Sequence, residues 1–138
     1  MDEKTILIVD DDIAMQTVLE IALREDGYRV VLASDGQEGV KLLASLKPDL
    51  VICDIMMPDG DGFQIIDELH NRKIDSTIIM TTGYSTVENA VKSLYSGAID
   101  FIPKPFTVDE LLNSLYRANK YQEIKNKLEQ ISSHQNGN

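Results

Sequence analysis

Five short apolar or β-branched runs, Ile6–Val9, Tyr28–Ala33, Leu50–Cys53, Ile78–Thr81 and Ile99–Ile102, recur along the chain with a stretch of helical spacing between each pair. Three of the runs are almost wholly apolar instead of alternating, which a strand needs only when both of its faces are covered, as in a parallel sheet. Between them, "IAMQTVLEIALRED" sets Met15, Val18, Leu19, Ala22 and Leu23 on one stripe, and Gly27 follows as a stop signal. "QEGVKLLASLK" does the same with Val40, Leu43 and Leu46 before Pro48, and Phe63, Ile66 and Leu69 mark a shorter helix after the Gly60–Gly62 turn. Two later helices open on capping boxes. Ser85-Thr86-Val87-Glu88 starts one, with Val87, Ala90, Val91 and Leu94 on its inner face and Gly97 behind it; Thr107-Val108-Asp109-Glu110 starts the other. Strict alternation of strand and helix implies an α/β domain: a doubly wound parallel sheet with helices on both faces, joined by right-handed crossovers.

Composition narrows the class. A chain of 138 residues is about one domain in size, and 43% hydrophobic with 26% charged residues is the balance of a globular protein. Asp and Glu number 23 against 13 Lys and Arg, so a net charge of −10 repels phosphate backbones and anionic membranes, and direct nucleic-acid or membrane binding is not expected. Cys53 is the single cysteine and has no internal disulfide partner. No apolar run approaches membrane-spanning length, and "MDEKTILIVDDD" lacks the pattern of a secretory signal. A cytoplasmic location is the expectation.

In parallel α/β sheets, function collects at the carboxyl ends of the strands. After the first run stand Asp10, Asp11 and Asp12; after the third, Asp54; after the fourth, Thr82; after the fifth, Lys104. Each has an ordinary structural explanation. Asp12 reads as a helix N-cap, Thr82 as a strand-end hydroxyl, and Lys104, between Pro103 and Pro105, as a surface lysine. Those explanations do not account for several acids, one hydroxyl and one amine converging on one sheet edge. Clustered carboxylates either raise a pKa or bind a divalent cation, and an all-oxygen donor set suits Mg²⁺. A carboxylate beside Mg²⁺ can attack phosphorus to give an aspartyl phosphate, and a hydroxyl with an ammonium can hold the equatorial oxygens. Asp54 is the expected nucleophile, the early aspartates the metal holders, and Thr82 with Lys104 the phosphate clamp.

"ILIVDD", "PDLVICDIMMPDGDG", "IIMTTG" and "GAIDFIPKPF", in that order at strand ends, resemble the receiver domains of bacterial two-component response regulators over about Thr5 to Ala118. The resemblance implies a flavodoxin-like (βα)₅ fold with strand order 2-1-3-4-5, Mg²⁺, and phosphorylation by a histidine kinase or phosphotransfer protein. It makes Asp10 and Asp11 the acidic pair, Asp54 the phosphoacceptor, Thr82 the switch hydroxyl and Lys104 the lysine. The Met56 carbonyl takes the position that completes the metal shell, and the bond before Pro105 is expected to be cis. The chain departs from the family pattern in having Phe101 where many relatives carry tyrosine as the switching aromatic. Met56 and Tyr84 occupy positions that tune acyl-phosphate hydrolysis; bulky, weakly polar groups there imply slow dephosphorylation, while Gly83 leaves room for the phosphoryl group.

The resemblance further implies a switch. The added charge draws in the loop before the fourth helix and repacks the face made by the helix from Ser85, the strand near Phe101 and the helix from Thr107. That face then meets an effector domain or target protein. The chain is not expected to be an enzyme, since it only assists its own phosphorylation and dephosphorylation. Residues 1–120 form the expected receiver. Residues 121–138 form a helical extension and a disordered polar tail, with Leu111, Leu115, Ala118, Tyr121, Ile124, Leu128 and Ile131 on helical spacing and a homodimer expected through this helix or the switch face. His70 and His134 stand alone and are not read as ligands. Two other functions stay open: a receiver-like module that works without phosphorylation, and an Mg²⁺-dependent aspartyl-phosphate phosphatase, whose usual second acid is replaced here by Met56. A flavin or nucleotide carrier fits less well, because three aspartates stand where a Gly-rich phosphate loop belongs.

Overall fold

The apolar runs become five parallel strands: β1 (Thr5–Val9), β2 (Arg29–Ala33), β3 (Leu50–Asp54), β4 (Thr77–Thr82) and β5 (Asp100–Pro103). The computed structural model describes residues 3–57, 60–83 and 86–136. The strands lie in the order β2-β1-β3-β4-β5, as the family resemblance implies. Five helices alternate with them: α1 (Ile13–Glu25), α2 (Gly36–Leu46), α3 (Phe63–Asn71), α4 (Val87–Ser96) and α5 (Val108–Asn136). Between β3 and α3 the chain also makes an antiparallel ribbon, Met56–Met57 against Gly60–Asp61, which is too short to carry a periodic signal.

Strand residues point alternately to opposite faces, and each face meets its own helices. Ile6 and Ile8 pack with Leu19 and Leu23 of α1 and with Leu111, Leu115 and Ala118 of α5. Leu7 and Val9 pack on the other side with Leu43 of α2 and Ile65, Ile66 and Leu69 of α3. This two-sided burial is why the runs Ile6–Val9 of β1 and Leu50–Cys53 of β3 are unbroken apolar stretches. Burying each large aliphatic side chain contributes about 1.5–3 kcal/mol, so the central strands anchor the fold.

Caps set the helix starts. Asp12 accepts from the Met15 N–H at 3.1 Å, as expected of the residue that opens α1. The Thr107–Glu110 box forms as read: the Thr107 hydroxyl accepts from the Glu110 N–H at 3.1 Å, and the Glu110 carboxylate accepts from the Thr107 N–H at 3.4 Å. At the start of α4 the cap is Thr86, whose hydroxyl accepts from the Asn89 N–H at 3.0 Å. Ser85 itself lies outside the described residues.

Two helix faces depart from the sequence expectation. Val18 is exposed on α1, and the inward stripe is Gln16, Leu19 and Leu23. On α4 the inversion is larger: Val87 (82% exposed), Val91 and Leu94 look outward with Tyr95 (89%), whereas Ser93 is buried. The apolar spacing identifies a stripe without saying which side the domain takes. Here the inner side is the small and polar one, and the Ser93 hydroxyl is satisfied within the helix by the Asn89 carbonyl at 2.8 Å. Lys92 Nζ, 4.3 Å from the centre of the Phe63 ring, ties α4 to α3 by a cation–π contact.

α5 is bound to the sheet through Asp100 of β5, which accepts from Ser114 Oγ at 2.8 Å and from Arg117 at 2.7 Å. Past Ala118 its apolar positions Tyr121, Ile124, Leu128 and Ile131 are exposed, and Lys125 bonds Asp75 at 3.1 Å. The helical backbone runs on to Asn136, through the polar stretch expected to be disordered.

Gly62 is required by close approach. A Cβ there would lie 2.4 Å from the Asp54 carbonyl oxygen and 2.8 Å from Cys53 Sγ. Gly62→Ala is expected to lower stability by about 1–3 kcal/mol, measured by urea unfolding, as overpacking against rigid backbone does. For Asp100, burial pushes the carboxyl up, but the bonds from Arg117, Ser114 and the Phe101 N–H outweigh it and hold it below the ordinary 3.8. Its contribution to stability is therefore present above that value and lost as pH falls through the folded value. Asp100→Asn should cost about 1 kcal/mol at neutral pH in thermal melts, with the difference closing in strong acid.

Candidate functional site

Lys104 holds the carboxyl ends of β1 and β3 together. Its ammonium donates to Asp10 Oδ2 at 2.8 Å and to Asp54 Oδ2 at 3.0 Å. Both carboxylates are nearly buried, at 3% and 6% residue exposure. The Lys104 backbone N–H donates to the Thr82 carbonyl at 2.8 Å, and the Lys104–Pro105 bond is cis, as expected. Asp10, Asp54, Thr82 and Lys104, from four strand ends, thus meet at one edge.

The remaining carboxylate oxygens are also engaged. Asp54 Oδ1 accepts from the Met56 N–H at 3.1 Å, and Asp10 Oδ1 accepts from the Asp12 N–H at 2.9 Å. Asp11 is exposed, yet oxygens of Asp10, Asp11 and Asp54 lie within 4.8 Å of one another. An all-oxygen set of this size fits a hard divalent cation such as Mg²⁺.

Burial pushes the Asp54 carboxyl above the usual aspartate range, with the nearby Asp10 charge adding to it, although bonds from Lys104 and Met56 oppose the rise. Burial alone would pull the Lys104 ammonium down. Its hydrogen bonds to Asp10 and Asp54, with their charges, outweigh that and hold it above the ordinary lysine value. Lys104 is therefore a charged donor beside a carboxylate that is costly to keep ionised.

The other sequence candidates fall around this centre. Thr82 ends β4 and is fully buried, while Phe101 is partly buried on the α2–α3 face of the sheet. The Met56 side chain is half exposed at the rim. Tyr84 lies outside the described residues. Gln16 was not anticipated from the sequence: it is buried, and its side-chain amide donates to the carbonyls of Asp10 and Ala33 at 2.6 and 2.9 Å. A signal for it exists, since Gln16 shares the 16-19-23 spacing of the inward stripe of α1.

The response regulator receiver domain model matches residues 6–116. The chain belongs to the response regulator receiver family. It is 43% identical over 107 residues to the response regulator MprA of Mycolicibacterium vanbaalenii, a match covering 78% of this chain and 46% of that protein. The chain thus spans about half the length of that curated relative. A CheY-like receiver domain protein from Methanospirillum hungatei superposes with a TM-score of 0.84 at 34% identity, covering 90% of this chain and 99% of that one. The beryllofluoride-activated NtrC4 receiver domain dimer gives 0.78 at 35% identity, covering 83% and 94%. This receiver therefore shares the α/β fold of signalling domains, and no helix among its described residues is long and apolar enough to cross a membrane.

Asp54 predicts a pH signature. Because its folded pKa is raised, ionisation costs stability above the folded value, and that cost disappears as pH falls below the ordinary 3.8. In chelator, Asp54→Asn should melt higher than the parent at pH 7, by an amount on the order of 1 kcal/mol. The advantage should fade on acidification.

Proposed function

We propose that the domain is a phosphorylation-dependent switch in which Asp54 takes a phosphoryl group from a histidine kinase or phosphotransfer protein. The observation that carries this reading is the Lys104 bridge: an ammonium 3.0 Å from a buried carboxylate whose ionised form is penalised. A carboxylate oxygen of Asp54 attacks phosphorus, the phosphorus–nitrogen bond of a phosphohistidine breaks, and an acyl phosphate forms. Lys104 and the Thr82 hydroxyl serve as donors to the transferred phosphoryl oxygens. Bound by Asp10, Asp11, Asp54 and the Met56 carbonyl, Mg²⁺ supplies the positive charge that offsets the crowded anions.

Phosphorylation replaces the single charge of the Asp54 carboxylate with the roughly −1.5 to −2 of the phosphoryl group at this edge. Thr82 moves toward it, Phe101 turns inward behind Thr82, and the face of α4, β5 and α5 repacks. The outward Val87, Val91, Leu94 and Tyr95 of α4, with Tyr116 of α5, make this face an apolar docking surface for an effector domain or target protein. The same face, or the exposed seam of α5, serves a homodimer; the activated NtrC4 receiver is a dimer by its description. Residues 1–120 act as the receiver and 121–138 as a helical extension. Met56 at the rim, together with Tyr84 two positions after Thr82 in the sequence, restricts attacking water, so the acyl phosphate is long-lived. The net charge of −10 favours protein partners over nucleic acid or membrane, in the cytoplasm. The domain assists its own phosphorylation and dephosphorylation and turns over no other substrate.

Intact mass after incubation with Mg²⁺ and acetyl phosphate tests this reading. One added phosphoryl group, absent in Asp54→Ala and without metal, is the expected result. A phosphoryl group retained in Asp54→Ala overturns it.

A further inference from the structure

Gln16 has no part in the chemistry described so far, yet it is the buried polar side chain of α1, only 5% exposed and turned toward the acidic edge. Its amide nitrogen donates to two backbone carbonyls, Asp10 at 2.6 Å and Ala33 at 2.9 Å. The Ala33 carbonyl also accepts from the Asp10 N–H at 3.1 Å, so one side chain joins α1, the end of β1 and the end of β2.

The Asp10 carbonyl belongs to the peptide unit that leads into Asp11. That unit is planar, so fixing its oxygen fixes the direction from the Asp10 Cα to the Asp11 Cα. The Asp10 carboxylate is also held by Lys104 and the Asp12 N–H. The exposed Asp11 carboxylate makes no side-chain hydrogen bond or ion pair among the described residues, so no side-chain partner holds it within 4.8 Å of Asp10 and Asp54 and the placing of its backbone matters the more.

We propose that Gln16 is a positioning residue of the cation site, clamping the Asp10–Asp11 peptide so that both carboxylates meet Asp54 at one ion. The inference rests on the phosphoacceptor reading above. Outer partners that orient metal ligands typically change metal affinity by about 10–100-fold when removed, which sets the expected scale.

The test is a Mg²⁺ titration of the whole chain followed by backbone amide shifts, paired with the Mg²⁺ dependence of phosphorylation by acetyl phosphate. In Gln16→Met, which keeps the volume and removes the donors, the Mg²⁺ dissociation constant should rise about ten-fold or more. The half-saturating Mg²⁺ for phosphorylation should rise by the same factor, while the rate at saturating Mg²⁺ stays near that of the parent. Thr17→Ala, an exposed neighbour on the same helix, should change neither. If Gln16→Met does not fold, Gln16→Asn, one methylene shorter, carries the same expectation. A lowered melting temperature with unchanged Mg²⁺ affinity overturns the proposal, because a packing role alone gives that result. Failure of the parent to bind Mg²⁺ overturns the phosphoacceptor reading and this inference with it; parent binding with an unaffected variant overturns only the inference.

Discussion

The Lys104 ammonium, 2.8 Å from Asp10 and 3.0 Å from Asp54, is the interaction on which the site depends. It draws residues from β1, β3 and β5 to one point, and its own backbone is tied to Thr82 at the end of β4. Removing one member of a buried ion pair leaves the other charge uncompensated, which is costly. With Lys104 gone, Asp10 and Asp54 would face each other across a nearly dry edge. Burial pushes the Asp54 carboxyl up even with the lysine present. Two nearly buried carboxylates thus sit at one edge, and the apolar interior of the sheet supplies the stability that holds them there.

The fold was legible because of that interior. Strands covered on both faces leave unbroken apolar runs such as Ile6–Val9 and Leu50–Cys53, and strictly alternating elements admit few topologies. Much of the site was legible for the same reason: a residue that ends a strand is placed by the strand. Asp10 directly follows β1, while Asp54 and Thr82 are the final residues of β3 and β4, so their convergence follows from parallel register.

What was not legible shares a physical cause. Helical periodicity reports that a stripe exists, and the surroundings decide which side turns inward. On α1, Val18 shares the apolar pattern but is exposed, whereas Gln16 is inside because two carbonyls await its amide. On α4 the small side chains allow close seating, and the apolar ones remain outside. The seam of α5 past Ala118 follows the same rule, since its spacing continues after the domain that covers it has ended. These outward stripes and the reactive edge are joined through β5, which carries Phe101 and leads directly into Lys104. On the switch reading proposed above, this is the path from a charge change at the edge to the outward face.

The central claim is that the reactive carboxylate of this edge is Asp54 and not its acidic neighbours. Borohydride reduction of the phosphorylated protein, followed by peptide mass mapping, tests it directly, because reduction of an aspartyl phosphate leaves homoserine at the residue that carried it. The account predicts homoserine at position 54 and unaltered aspartate at 10 and 11. Homoserine at position 10 or 11, with Asp54 intact, would contradict it.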